Sequence, residues 1–329
     1  MKIIDLFSGI GGFSLGFQRA GYQFTEHYFS EIDKHAIANY KYNFPHAKHI
    51  GDITTLHGGD FTDIDIITFG SPCQNFSTAG KREGLKGAKS SLIQHAIALI
   101  AEVRPSVFVW ENVKGAFSSN AGADFWAIIQ AFANIGGYRL EFQLLNTKWV
   151  LPQNRERIYL IGHLAGRSQP GVFPITEDDC APRKEKTYQF QAKLSGTLKA
   201  NGNMNADDTY IIPKTASTLT GGGHSGGLHS DMTIIRQLPR GKNKGADLKI
   251  CPTISSNAFQ ENNLLEGVRR LTEIECERLQ GFPDNWTQYG DYNGTIKPIA
   301  RTQRYKLIGN AVTVDIVELI AKRLKFIEQ

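Results

Sequence analysis

The feature that most constrains this chain is an alternation. Across the first 165 residues, short β-rich runs alternate with helical patterns, which points to an α/β domain built on a doubly wound, mostly parallel sheet. Candidate strands are Lys2–Phe7, Phe24–Ser30, Asp65–Phe69, Ser106–Glu111, Tyr138–Leu145 and Arg157–Gly162. Candidate helices are Gly12–Ala20, Lys34–Asn43, Ser90–Val103 and Asp124–Ile135. Asp65–Phe69 is apolar on both faces, as a strand covered by helices on both sides should be. The first strand runs into Gly9-Ile10-Gly11-Gly12 and then a helix, a geometry that offers backbone N–H groups and a helix N-terminus to a ligand. Glu31 ends the second strand and Asp52 follows the third strand position, so two carboxylates stand where ribose hydroxyls and an adenine amine would be read. Ser14 stands where a third glycine would complete GxGxxG. A tight strand–helix connection explains the turn alone; the two acids beside it favour an adenosine-type cofactor.

Composition narrows the class. With 41% hydrophobic and 21% charged residues the chain can bury a core, and 329 residues suggest two domains. The start, MKIIDLFSGIGG, reaches Asp5 and a glycine turn without the apolar stretch of a signal peptide. No apolar run approaches the ~20 residues of a membrane span. Four cysteines (Cys73, Cys180, Cys251, Cys276) form no CxxC pair and no zinc spacing, so we expect no metal, reduced thiols and a cytoplasmic location.

After Gly166 the texture changes. Residues 168–267 are rich in Gly, Asn, Ser and Thr, with a weak echo in SGTLKANG at Ser195, STLTGGGH at Ser217 and PTISSNAF at Pro252. Short twisted strands joined by glycine-rich loops fit this segment. The net charge of +5 is modest, but residues 181–250 hold eleven Lys/Arg against five Asp/Glu. That segment therefore carries +6 and the rest of the chain −1, which suits a local polyanion contact. Helical pattern resumes at Thr272–Gln280, with a capping-box spacing of Thr272 and Glu275, and again at Val312–Ile327.

Gly70-Ser71-Pro72-Cys73 follows the apolar strand directly, placing Cys73 at a strand's carboxyl end, where open α/β sheets present their chemistry. A lone cysteine is usually a small buried hydrophobe. Its position before a Gly- and Lys-rich loop, Thr78–Lys89, favours a reactive thiol. Glu111 ends the run Val107-Phe108-Val109-Trp110 and reads equally as a capping or a catalytic carboxylate. Arg155 and Arg157, two residues apart, face one side of a strand and suit a phosphate or a carbonyl oxygen, or plain surface charge.

DLFSGIGGFSLGF, SEID, GDI, GSPCQNFS, ENV, QNRERIYLIG, RRLTEIECERLQGFPDNW and YKLIGNAVTVDIV stand in this order, and together they resemble the DNA cytosine-5 methyltransferases of bacterial and phage modification systems. The resemblance spans Ile3–Gly162 and Arg269–Val317 and leaves the basic segment unmatched. It implies a Rossmann-like, S-adenosylmethionine-dependent methyltransferase domain (residues 1–167 plus 306–329). A smaller β-rich target-recognition domain (168–268) and a hinge and return segment (269–305) would complete the chain. The implied reaction moves a methyl group from S-adenosylmethionine to C5 of a flipped-out cytosine in duplex DNA, leaving S-adenosylhomocysteine. Cys73 would attack C6, Glu111 would engage N3, Arg157 would hold O2, and Arg155 would support the loop or a phosphate. Phe7, Gly9, Gly11, Glu31, Ile32, Asp52, Ile53, Pro72, Leu92, Asn310 and Ala311 match cofactor contacts. Lys89, Arg236 and Arg240 are candidate DNA contacts, with His224 and His229 beside them. Expected partners are double-stranded DNA and, functionally, a cognate restriction endonuclease; no membrane is expected, and the expected state is a monomer.

Two departures stand out. Ile32 replaces the tryptophan common after the ribose-binding acid, and Lys89-Ser90 stands where the catalytic loop commonly ends in Arg-Gly. The rival readings explain less. A tRNA-directed relative would carry a Cys-Phe-Thr signature that this chain lacks. A nicotinamide oxidoreductase leaves Pro72-Cys73, Glu111 and the arginine pair unexplained. A catalytically silent DNA-binding protein would need neither Cys73 nor Glu111.

Overall fold

The computed structural model describes residues 1–71, 91–180, 235–237, 246–248, 251–252, 263–265 and 269–327. Its centre is a seven-stranded sheet made by β1 (Lys2–Leu6), β2 (Glu26–Ser30), β3 (Lys48–His49), β4 (Ile66–Gly70), β5 (Val107–Val113), β6 (Tyr138–Asn146) and β8 (Glu156–Leu164). The order is β3-β2-β1-β4-β5-β8-β6. Pairs from β3 through β5 are parallel, and β8 runs antiparallel to both its neighbours. The order reverses between β1 and β4, so the carboxyl ends of these strands open the crevice in which such sheets bind ligands.

Helices α1 (Gly12–Arg19), α2 (Lys34–Asn43), α3 (Ser91–Val103) and α4 (Ala123–Asn134) make the crossovers. Ile4, Leu6, Ile67, Phe69, Phe108 and Trp110 pack under Ile93, Ala96, Leu99, Phe125 and Phe132 on one face. Ile3, Ile66, Val107 and Val109 pack with Phe13, Phe17, Ile316, Val317 and Ile320 on the other. A strand sandwiched in this way is apolar at every position, which is why these runs read as continuous rather than alternating.

The six expected strands are present, each within two residues at either end, as are the four helices of the first half. Thr272 caps α5 (Glu273–Leu279) with the reciprocal Thr272–Glu275 bonds its spacing requires. The third strand position before Asp52 is the two-residue β3; the sequence pattern misses α6 (Arg301–Asn310), the short β7 (Gln153–Asn154) and the hairpin of Tyr289–Asp291 with Ile296–Pro298. The helix expected over Val312–Ile327 is shorter: α7 spans Val314–Arg323, because Lys325–Phe326 leaves it to pair with Ser168–Gln169. Of the glycine-rich segment, Ile235–Gln237, Ala246–Leu248 and Asn263–Leu265 join Arg269–Arg270, just beyond it, in a four-stranded antiparallel sheet. Cys251–Pro252, at the head of the third echo, pairs in parallel with β7. The first two echoes lie outside the described residues.

α7 returns to α1. Gly16 allows this approach, since a Cβ there would lie 2.5 Å from Val317 Cγ1. A Cβ on Gly12 would likewise lie 2.7 Å from Val312 Cγ2. The close fit brings the Asn310–Thr313 turn beside the glycine turn after β1, where Ile10 and Ala311 share one apolar cluster.

Candidate active site

The turn after β1 is built from left-handed backbone at Phe7 (φ 51°), Gly9 (φ 54°) and Gly11 (φ 82°). Glycine is required at Gly11, where a Cβ would run into the Phe44 ring. At Gly9 a Cβ would meet nothing within 4 Å, so the turn is open there. Glu31 holds the turn: Oε2 accepts the Gly9 N–H (2.9 Å), and Oε1 accepts those of Ile32 (2.7 Å) and Asp33 (2.9 Å). Ile32 is 74% exposed beside it, an apolar surface at the mouth of the crevice. Asp52 is exposed and caps the Ile53–Thr55 turn through the Thr54 N–H (3.0 Å), while Ile53 is buried. Leu92 packs half-buried at the start of α3, and Asn310 is exposed next to buried Ala311. An open backbone turn, two carboxylates at strand ends and an exposed apolar side chain make a donor set suited to a nucleoside.

Under this turn lies a buried polar cluster that sequence reasoning missed. Asp5 accepts from Thr68 Oγ1 (2.9 Å), Ser14 Oγ (3.1 Å) and Tyr40 Oη (3.2 Å). His27 Nε2 lies 3.0 Å from Ser14 Oγ and 2.8 Å from Tyr40 Oη. Burial pushes the Asp5 carboxyl up to about 7 and the His27 imidazole down to about 4. Ser14, the residue that breaks the glycine pattern, is therefore a polar link between β1, β2 and α2. The sequence signal was Asp5 itself, a charge inside an otherwise apolar strand.

The second half of the crevice is made by β4, β5 and β8. Gly70 pairs with Glu111, and Val113 pairs with Arg157. Glu111 and Val113 share a face of β5, so Arg157 reaches diagonally to the carboxylate, with Nε 3.0 Å from Oε1. Both side chains are largely buried. A Cβ on Gly70 would lie 3.2 Å from Glu111 Oε2; the glycine leaves room for the carboxylate at the end of β4. On the opposite face of β5, Trp110 Nε1 (3.0 Å) and Asn112 Nδ2 (3.2 Å) both donate to Ser71 Oγ. Ser71 was quoted in the motif, but nothing in its spacing foretold this anchor.

Arg155 is 3% exposed, and its guanidinium faces the backbone carbonyls of Gly309 and Ala311. It thus stands under the Asn310 turn, between β7 and β8. Pro72, Cys73, Lys89, Arg240, His224 and His229 lie outside the described residues; Arg236 lies in the strand Ile235–Gln237. No group of three His, Cys, Asp or Glu side chains suited to a metal ion is found among the described residues. No described helix is long and apolar enough to cross a membrane.

The C-5 cytosine-specific DNA methylase family model matches residues 1–326. The Type II methyltransferase M.Bsp6I of Bacillus sp. (strain RFL6) is 30% identical over 338 residues, covering 98% of both chains. The Type II methyltransferase M1.ScrFI of Lactococcus lactis subsp. cremoris is 33% identical over 341 residues, covering 98% of this chain and 77% of that one. Two solved structures share the fold. A prophage-encoded chain from E. coli has a TM-score of 0.64 at 24% identity, with 98% of this chain and 97% of that one covered. The S. pombe Dnmt2 methyltransferase has a TM-score of 0.59 at 20% identity, with 97% and 96% covered. The chain belongs to the C-5 cytosine-specific DNA methylases. It is an enzyme of the modification-methylase type, acting on cytosine in DNA.

Proposed function

We propose that this enzyme methylates C5 of one cytosine within a specific duplex sequence, by way of a transient bond between Cys73 and C6. The observation that carries the reading is the Glu111–Arg157 pair beside Gly70, immediately before Ser71-Pro72-Cys73 in the chain. A carboxyl and a guanidinium held 3.0 Å apart on one face suit the N3 and O2 edge of a pyrimidine.

In this reading the Cys73 thiolate adds to C6, and the displaced ring electrons make C5 nucleophilic. Glu111 stabilises or protonates N3 as that charge develops, and the Arg157 fork holds O2. Bound S-adenosylmethionine supplies an electrophilic methyl group. Gly9 and Gly11 would give its amino-acid end an open backbone turn, Glu31 the ribose, and Asp52 with Ile53 the adenine. Ile32 would cover the adenine with aliphatic rather than aromatic surface. After methylation the C5 proton leaves to a base, and the returning electron pair expels the sulfur. Attack at C6 requires access perpendicular to the ring, so the cytosine must leave the stack at a cost of a few kcal/mol. Residues 168–268, with the basic segment 181–250, would supply the offsetting phosphate contacts and the base reading. A host restriction endonuclease of the same specificity would be its functional counterpart.

Bisulfite sequencing of DNA from a bacterial strain expressing the chain tests this. Protected cytosines confined to one sequence context are expected. Complete conversion, with the protein expressed and folded, contradicts it.

A further inference from the structure

The carbonyls of a helix's last turn have no partner within the helix and must find one elsewhere. At the end of α6 the partners come from two distant segments. Ile308 O accepts the Ala311 N–H (3.1 Å) and Gln280 Nε2 (3.3 Å). Gly309 O faces Arg155 Nη1 and Nη2 at 3.4 and 3.5 Å, and Ala311 O accepts from Arg155 Nη2 at 2.8 Å. The guanidinium therefore spans the carbonyl before Asn310 and the carbonyl after it, while Asn310 itself stays exposed. Arg155 is in turn fixed through its backbone: its N–H donates to Asn146 Oδ1 (3.2 Å) and its carbonyl accepts the Thr147 N–H (2.9 Å). Beyond the turn, Thr313 makes no cap bond to α7; its hydroxyl meets Thr147 Oγ1 (2.8 Å) and Gln280 Oε1 (3.2 Å).

Burying a guanidinium costs several kcal/mol, and an apolar side chain of similar size commonly serves stability as well or better. A planar fork does what such a side chain cannot: it fixes the directions of two carbonyls at once. We propose that Arg155 is a positioning residue for the cofactor, setting the orientation of Asn310 toward S-adenosylmethionine rather than touching the cytosine. This rests on the reading of the crevice given above.

The test is a double-mutant cycle on S-adenosylhomocysteine affinity, measured by calorimetry with Arg155→Lys, Arg155→Met, Asn310→Ala and the combined variants. Arg155→Met leaves no unpaired charge in the interior, so it keeps the test available if Arg155→Lys fails to fold. Each single variant is expected to weaken binding about tenfold, the loss of roughly one charge-assisted hydrogen bond. The combined variants should bind no more weakly than Asn310→Ala alone, and DNA affinity of the Arg155 variants should stay within about threefold. Effects that multiply in the combined variants would overturn the proposal. So would Arg155 variants that keep cofactor affinity and lose DNA affinity. A wild-type protein that binds no S-adenosylhomocysteine would overturn the reading of the crevice as well.

Discussion

Arg157 reaches Glu111 across two antiparallel strands, with Nε 3.0 Å from Oε1. Neither residue is next to the other in sequence or in strand register; the contact is the diagonal that places a β8 side chain over the end of β5. Arg157→Lys keeps the charge and loses the fork. Methyl transfer should fall by about 10²-fold, the usual effect of removing one donor aimed at developing charge. S-adenosylhomocysteine affinity should stay within about twofold. A parallel loss of cofactor binding, measured by calorimetry, would place Arg157 in another role.

Gly16 gives a prediction of opposite sign to helix propensity. In an exposed helix Gly→Ala stabilises by about 1 kcal/mol. Here the new methyl would lie 2.5 Å from Val317 Cγ1 and 3.1 Å from the Val314 carbonyl. Gly16→Ala should therefore destabilise by about 1–3 kcal/mol in urea unfolding. Adding Val317→Ala should recover part of the loss.

Asp5 and His27 oppose each other in pH dependence. The Asp5 carboxyl, about 7 when folded against 3.8 ordinarily, keeps its proton in the folded chain while the unfolded chain has lost it. Its contribution is greatest below pH 4 and is lost as pH rises to 7. The His27 imidazole, about 4 when folded against 6.5, is neutral in the folded chain while the unfolded chain is protonated. Its contribution grows as pH rises from 4 to 6.5. The two slopes, each at most about 1.4 kcal/mol per pH unit, largely cancel in that window. Asp5→Asn should leave a stability that climbs between pH 4 and 6.5, read from urea midpoints. A flat profile in that variant would show that His27 does not titrate as its burial requires.

Much of the fold was legible because burial on both faces of a parallel sheet writes itself as unbroken apolar runs. Ile66-Ile67-Thr68-Phe69 and Val107-Phe108-Val109-Trp110 could hardly be anything else. Glu111 and Glu31 were legible as charges that end such runs. α6 was not, because its Arg-Thr-Gln-Arg-Tyr-Lys start is nearly all polar and its fold comes from tertiary pairing. Arg304 meets the buried Glu277 carboxylate at 3.0 Å, and Arg301 meets Glu273. The work of Arg155 was equally hidden, since a side chain that holds carbonyls 154 residues away leaves no periodicity.

That same Glu277 anchors the segment after α5. It accepts the N–H groups of Asn285 (2.7 Å) and Thr287 (2.9 Å), the Thr287 hydroxyl and Arg304. Glu277→Ala strands a mostly buried guanidinium and should cost about 3–5 kcal/mol in denaturant unfolding. A loss under 1 kcal/mol would mean that the network is solvated in solution.

The transient sulfur–carbon bond is the centre of the account, and 5-fluorocytosine tests it most directly, because fluorine at C5 cannot leave as a proton. DNA carrying it at the methylated position, incubated with the enzyme and S-adenosylmethionine, should give a denaturation-resistant complex. Peptide mass spectrometry should find the added mass on Cys73, and Cys73→Ser should give no complex while still binding S-adenosylhomocysteine. Efficient methylation of the unmodified DNA with no trapped complex on the fluorinated one, or a trapped complex attached elsewhere than Cys73, would contradict it.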